Sequence, residues 1–150
     1  LPITEQALSA EEGDADDRAG EEKRHISGSV LVIDDESSLL AMTKQALNQL
    51  DLDVDAAKSI AKAKELLSQK TYDLVLVDVY MPDGNGIAIW HHIREHTAHA
   101  ETAVVFMTGD PNVKQTVAEQ AGRDVPTLLK PFHVADLHRL VAKQLESAAS

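Results

Sequence analysis

Four apolar runs, each stopping abruptly at a residue that carries chemistry, constrain this chain most. Val30-Leu31-Val32-Ile33 runs into Asp34-Asp35-Glu36, and Leu74-Val75-Leu76-Val77 runs into Asp78. Ala103-Val104-Val105-Phe106-Met107 stops at Thr108-Gly109, and the short Thr127-Leu128-Leu129 leads into Lys130-Pro131. Runs this apolar, without alternation, read as strands covered on both faces, which is the signature of a parallel sheet between helical layers. A weaker strand falls at Val54-Asp55-Ala56-Ala57. Between the strands, apolar residues recur at helical spacing. They predict a helix over residues 36–50 and a second one capped by Ser59. A third carries Ile87, Trp90, Ile93 and Thr97, a fourth Val113, Val117 and Ala121, and a fifth Val134, Leu137, Val141 and Leu145. Met81-Pro82-Asp83-Gly84 reads as a turn. Strand and helix thus alternate through five βα units, an α/β fold with a doubly wound five-stranded parallel sheet and right-handed crossovers.

Composition narrows the function classes. Aromatics are 3% of the chain, so the core is aliphatic, and the absence of cysteine excludes disulfides, thiolate metal sites and cysteine nucleophiles. A formal charge of −11 argues against nucleic acid and anionic membranes as partners. No apolar run is long enough to span a bilayer. The first 28 residues hold eight acids and three bases, with no large apolar residue between Ser9 and His25. Residues 1–28 therefore read as an acidic linker, and 29–147 as the folded unit.

In an open parallel sheet, ligands bind beyond the carboxyl ends of the strands. There this sequence places three carboxylates, a hydroxyl and an amine: Asp34, Asp35, Asp78, Thr108 and Lys130. An acid after a strand is often no more than a helix cap or a turn residue. Several of them on successive strand ends are a different matter. Two unit charges 4 Å apart repel by about 4 kcal/mol at an effective dielectric of 20, so clustered carboxylates call for a cation. Mg²⁺ suits such oxygen donors. An Asp beside such a cation can act as a nucleophile towards phosphorus, with the hydroxyl and the ammonium binding phosphoryl oxygens.

These motifs resemble those of the receiver, or phosphoacceptor, domain of two-component response regulators. The resemblance rests on Val-Leu-Val-Ile-Asp-Asp-Glu at 30–36, Asp-Leu-Val-Leu-Val-Asp-Val-Tyr-Met-Pro-Asp-Gly-Asn-Gly at 73–86, Val-Phe-Met-Thr-Gly at 105–109 and Leu-Leu-Lys-Pro-Phe at 128–132. It implies a flavodoxin-like sheet of order 2-1-3-4-5 and transfer of a phosphoryl group from a phosphohistidine, with Mg²⁺, onto one Asp. Carried over, Asp78 is the phosphoacceptor, and Thr108 and Lys130 hold the phosphoryl group. Asp34, Asp35, Asp78 and the backbone carbonyl of Tyr80 are the metal ligands. The peptide bond before Pro131 is expected to be cis. The implied partner is a histidine kinase dimerisation domain or a histidine-containing phosphotransfer protein, docking over Asp78 on the strand-end loops and residues 36–43, in the cytoplasm. The resemblance implies self-catalysed phosphorylation. A phosphorylatable kinase histidine motif and ATP-binding glycine boxes are lacking, so this segment is not itself a kinase.

One departure is Thr127, which occupies the position where the family usually carries an aromatic switch residue. A second is Tyr80, two residues past the acceptor, where its ring can overhang the phosphoryl group. Thr127, together with Leu1-Pro2 before an acidic linker, favours the C-terminal receiver of a hybrid histidine kinase over a stand-alone response regulator. A non-phosphorylated interaction module on the same fold is the alternative of another class. A haloacid-dehalogenase-type phosphatase would need a second Asp where Tyr80 stands. A flavodoxin-type FMN site would need a hydroxyl- and glycine-rich loop where Asp34-Asp35-Glu36 stands. His92, His96 and His99, spaced i, i+4, i+7, could share one helical face and hold a transition metal. The reading preferred is cations near a helix C-terminus.

Overall fold

The computed structural model describes residues 27–123 and 125–149. Five parallel strands form one sheet: β1 (Ser29–Ile33), β2 (Asp53–Ala57), β3 (Leu74–Asp78), β4 (Ala103–Thr108) and β5 (Thr127–Leu129). Their spatial order is β2-β1-β3-β4-β5, the order implied by the resemblance. The helices are α1 (Ser37–Asn48), α2 (Ile60–Gln69), α3 (Gly86–Arg94), α4 (Val113–Ala121) and α5 (Val134–Ala149). The acidic 1–26 stretch of the expected linker lies outside the described residues.

Alternate residues of the central strands feed two separate cores. Leu31, Ile33, Val75, Val77, Val104 and Phe106 face one way, against α2, α3 and α4. Val30, Val32, Leu74, Leu76, Val105 and Met107 face the other, against α1 and α5. Both faces of β1 and β3 are therefore dry, which is why their sequences are continuously apolar.

The structure departs from the sequence expectations at three places. Helix α1 stops at Asn48, so Leu50 lies in the following turn rather than in the helix. The 80–85 segment, read as a turn, closes a small antiparallel ladder in which Tyr80 pairs with Asn85 and Met81 with Gly84. Helix α3 ends at Arg94, and Thr97–His99 forms a separate 3₁₀ turn. His92, His96 and His99 therefore do not share the face of one continuous helix. Ser59 does cap α2, its side chain accepting from the Lys62 N–H at 3.0 Å. Among the described residues, no helix is long and apolar enough to cross a membrane.

Candidate functional site

Parallel pairing brings the carboxyl ends of β1, β3, β4 and β5 to one rim. Ile33 pairs with Val77, Asp78 with Met107, and Thr108 with Leu129. Asp34 and Lys130, just past β1 and β5, and Asp78 and Thr108, the last residues of β3 and β4, are thereby delivered to the same place. Asp34, Asp35 and Asp78 converge: one carboxylate oxygen from each lies within 4.8 Å of the others. Among the described residues, this is the one convergence of three or more His, Cys, Asp or Glu side chains. The histidine-rich end of α3 makes none, although His92 and His96 stack with ring centroids 4.3 Å apart.

Each carboxylate is held differently. Asp34 is 1% exposed, and its Oδ1 accepts from the Glu36 N–H at 3.0 Å, just before α1. It thus does part of a cap's work from two residues upstream of the cap position, where Glu36 makes no side-chain bond of its own. Asp78 is 8% exposed, and its Oδ1 accepts from the Tyr80 N–H at 3.2 Å. Asp35 is exposed, at the mouth. The second oxygens of the two inner acids meet Lys130, whose Nζ donates to Asp34 Oδ2 at 3.0 Å and to Asp78 Oδ2 at 2.8 Å. Burial disfavours the charged lysine, but the bonds to Asp78 and Asp34 outweigh it and raise its pKa.

Lys130 is placed by backbone. Its N–H donates to the Thr108 carbonyl at 2.7 Å, and the Lys130–Pro131 bond is cis, as the resemblance implies. Thr108 is buried at the end of β4, with its hydroxyl accepting from the Asp110 N–H at 3.0 Å. Tyr80 is 57% exposed beside the acceptor loop.

Gly86 belongs to the site, although the sequence reading leaves it without a role. A Cβ there would lie 2.3 Å from the Asp78 carbonyl oxygen. The first turn of α3 can pack onto the acceptor only because the side chain is absent, and the Gly86 N–H donates to the Val79 carbonyl at 2.7 Å. The visible signal was a glycine at the start of a predicted helix. Asp83, read as a turn residue, reaches across instead to accept from the Ile60 and Ala61 N–H groups, tying the acceptor loop to α2.

The donor set fits a hard divalent cation. It offers carboxylate oxygens, two of them deeply buried, with one ammonium against three acids. The same rim offers a nucleophilic carboxylate with a cationic donor 2.8 Å from it.

A model of the response regulator receiver domain matches residues 30–142. The response regulator protein PilR of Pseudomonas aeruginosa is 29% identical over 115 residues, covering 77% of this chain. The chain spans a quarter of that regulator's length. The response regulator receiver protein CpdR of Brucella abortus is 29% identical over 119 residues, and there the match covers 79% of this chain and 98% of CpdR. Among solved structures, the receiver domain of a Pseudomonas aeruginosa sensor histidine kinase superposes with a TM-score of 0.72 at 21% identity. It covers 80% of this chain and 98% of its own, and it has a magnesium ion coordinated in its active-site cleft.

Proposed function

This chain belongs to the response regulator receiver domain family, and from that premise we propose that its acidic rim accepts a phosphoryl group from a phosphohistidine onto Asp78. The observation that carries this reading is the convergence of Asp34, Asp35 and Asp78 around the Lys130 ammonium. Asp78 is the nucleophile: its carboxylate oxygen forms the bond to phosphorus as the bond to the imidazole nitrogen breaks. Asp34, Asp35, Asp78 and the Tyr80 carbonyl would hold Mg²⁺, which when bound offsets phosphoryl charge. Lys130, already 2.8 Å from Asp78, pairs with a phosphoryl oxygen once the acceptor oxygen is esterified. Thr108, whose hydroxyl oxygen accepts from the Asp110 N–H, donates its own hydroxyl hydrogen to another phosphoryl oxygen. Asp34 holds Lys130 in place, and Gly86 lets the acceptor backbone sit against α3.

We take the receiver unit as residues 29–147 and its setting as the cytoplasm. Its partner is a kinase dimerisation domain or a histidine-containing phosphotransfer protein. A relay role, as in the receiver of a hybrid histidine kinase, is favoured over an output switch by Thr127. That residue's hydroxyl donates to the Val125 carbonyl at 3.1 Å, and it has no ring to move when Thr108 moves.

The test is intact mass after incubation with acetyl phosphate and Mg²⁺, with Asp78→Asn alongside. One phosphoryl adduct, absent in the variant and lost when Mg²⁺ is chelated, is expected. If neither acetyl phosphate nor a phosphorylated histidine phosphotransfer domain labels the wild type, the rim is not an acceptor.

A further inference from the structure

Helix α2 does not complete its own N-terminus. Ser59 accepts from the Lys62 N–H at 3.0 Å, which leaves the Ile60 and Ala61 N–H groups of the first turn without a local acceptor. Asp83 supplies both from the loop after β3, one carboxylate oxygen to each. Its Oδ1 accepts from Ile60 at 3.0 Å and its Oδ2 from Ala61 at 3.2 Å. The bond from Ile60 is the chief cause holding the Asp83 carboxyl below its usual range, with burial opposing it and the Ala61 bond adding to it.

Asp83 stands at the tip of the small antiparallel ladder. Tyr80 pairs with Asn85 and Met81 with Gly84, so Pro82 and Asp83 turn the chain between them. Two rungs are too few to be stable alone, so the place of the ladder depends on what its ends hold. The returning side is fixed by α3, since Asn85 Oδ1 accepts from the Ile87 N–H at 2.7 Å. The outgoing side carries Tyr80, whose N–H donates to Asp78 Oδ1 at 3.2 Å. Past Val79, whose N–H donates to the Met107 carbonyl at 3.0 Å, that side is held by Met81, buried in the same core cluster as Ile60, and by the two bonds of Asp83 to α2. The Asp83 carboxylate thus stands at one end of a short lever and the Asp78 carboxylate at the other.

We propose that Asp83 is a positioning residue for the acidic rim: it clamps the tip of the ladder to α2, which fixes Tyr80 and, through the Tyr80 N–H, the carboxylate of Asp78. The role rests on the cation-assisted acceptor reading of that rim, in which the Tyr80 carbonyl is also among the proposed Mg²⁺ ligands. A ladder freed at its tip then costs metal affinity as well as stability.

The experiment titrates Mg²⁺ by calorimetry into the full chain as wild type, Asp83→Ala, Asp83→Asn and Ser59→Ala, at high salt, which screens the exposed Asp83 charge. Thermal melts and amide exchange at Tyr80 are read on the same four proteins without metal. Ser59→Ala removes the other part of the α2 cap and leaves the ladder alone, so it and Asp83→Ala should both melt a few degrees lower. Asp83→Ala should also bind Mg²⁺ about tenfold more weakly, as when a group that orients a metal ligand is lost, and exchange the Tyr80 amide faster. Asp83→Asn, which keeps one of the two acceptors, should fall between, and Ser59→Ala should match wild type in both readouts. The proposal is overturned if Asp83→Ala binds Mg²⁺ as wild type does, if Tyr80 exchange is unchanged, or if Ser59→Ala weakens Mg²⁺ binding equally, which would make the effect one of α2 stability. A wild type that binds no Mg²⁺ would remove the cation site itself and this role with it, whereas a wild type that binds beside an unchanged Asp83→Ala would remove this role alone.

Discussion

Lys130 donates to two carboxylates at once, and those two residues are also the buried acids of the proposed cation site. On the proposed function its ammonium would therefore compete with a divalent ion for the same charge and serve the phosphoryl group later. Lys130→Ala should bind Mg²⁺ several-fold more tightly, read by calorimetry, yet accept phosphate from acetyl phosphate about two orders of magnitude more slowly, a typical cost of removing a transition-state charge contact. A merely structural lysine would instead weaken both. Tyr80 raises a different point at the same scale. Its exposed ring stands beside the acceptor loop, where it can obstruct an approaching water. Tyr80→Ala should shorten the lifetime of the Asp78 phosphoryl group several-fold in a decay measurement, and equal lifetimes would remove that role. The identities of Asp34, Asp78, Thr108 and Lys130 were legible because each closes or follows an apolar run. How each is held was not. The bond from Asp34 to the Glu36 N–H and the shared lysine are matters of ångströms that no spacing encodes.

At the scale of elements, strands β1, β3 and β4 were legible because burial on both faces leaves an unbroken apolar run. Strand β2 was weaker because it is the edge, and it carries Asp53 and Asp55 there. The ladder at residues 80–85 escaped notice: two residues a side are too few for any periodicity to show. The end of α3 was misplaced for a related reason, since the histidines continue the spacing past the point where the backbone leaves the helix. The junction between β3 and α3 gives a sharp test. Gly86→Ala puts a methyl group 2.3 Å from a backbone oxygen, so the loop must move. A loss of about 1–3 kcal/mol in denaturant melts is expected, as for other overpacked sites, with slower labelling of Asp78. Unchanged stability would mean that α3 yields freely. The β2 edge gives a pH test. The Tyr72 hydroxyl donates to Asp55 at 2.7 Å, and that bond is the chief cause holding the Asp55 carboxyl below its usual range, with burial opposing it and Lys70 adding to it. The contribution is present above the unfolded pKa of about 3.9 and is lost as pH falls through the lower folded value. The stability gap between wild type and Tyr72→Phe should therefore be widest near neutrality and shrink below about pH 4. A gap independent of pH would assign it to packing.

Over the whole molecule, topology decided what could be foreseen. Parallel strands send their chemistry to one rim, so the convergence of distant residues followed from the order of elements alone. The cleft that Arg94 and Arg123 line at the other edge did not follow, because its walls come together only through the packing of α3 and the turn after α4, and neither residue sits in a motif. The same distinction bears on how far a signal can travel. Phosphorylation at the rim acts on the rest of the fold only through an element with two arrangements that differ in their contact with the phosphoryl group. On the proposed function Thr108 would be such a contact at the end of β4, and β5 pairs with β4 beside it. Yet Thr127, at the start of β5, is pinned by its own hydroxyl to Val125 and fills little volume. A motion of Thr108 would then find no ring at residue 127 to follow it. Hydrogen exchange on the phosphorylated protein should accordingly change at residues 34–36, 78–86 and 108–110 and leave α4 and β5 as they were. Thr127→Tyr supplies the missing ring and should extend the change into α4 and β5. A wild-type response already reaching α4 would show that β5 couples without an aromatic residue, and the relay reading would lose the observation that favours it over a switch.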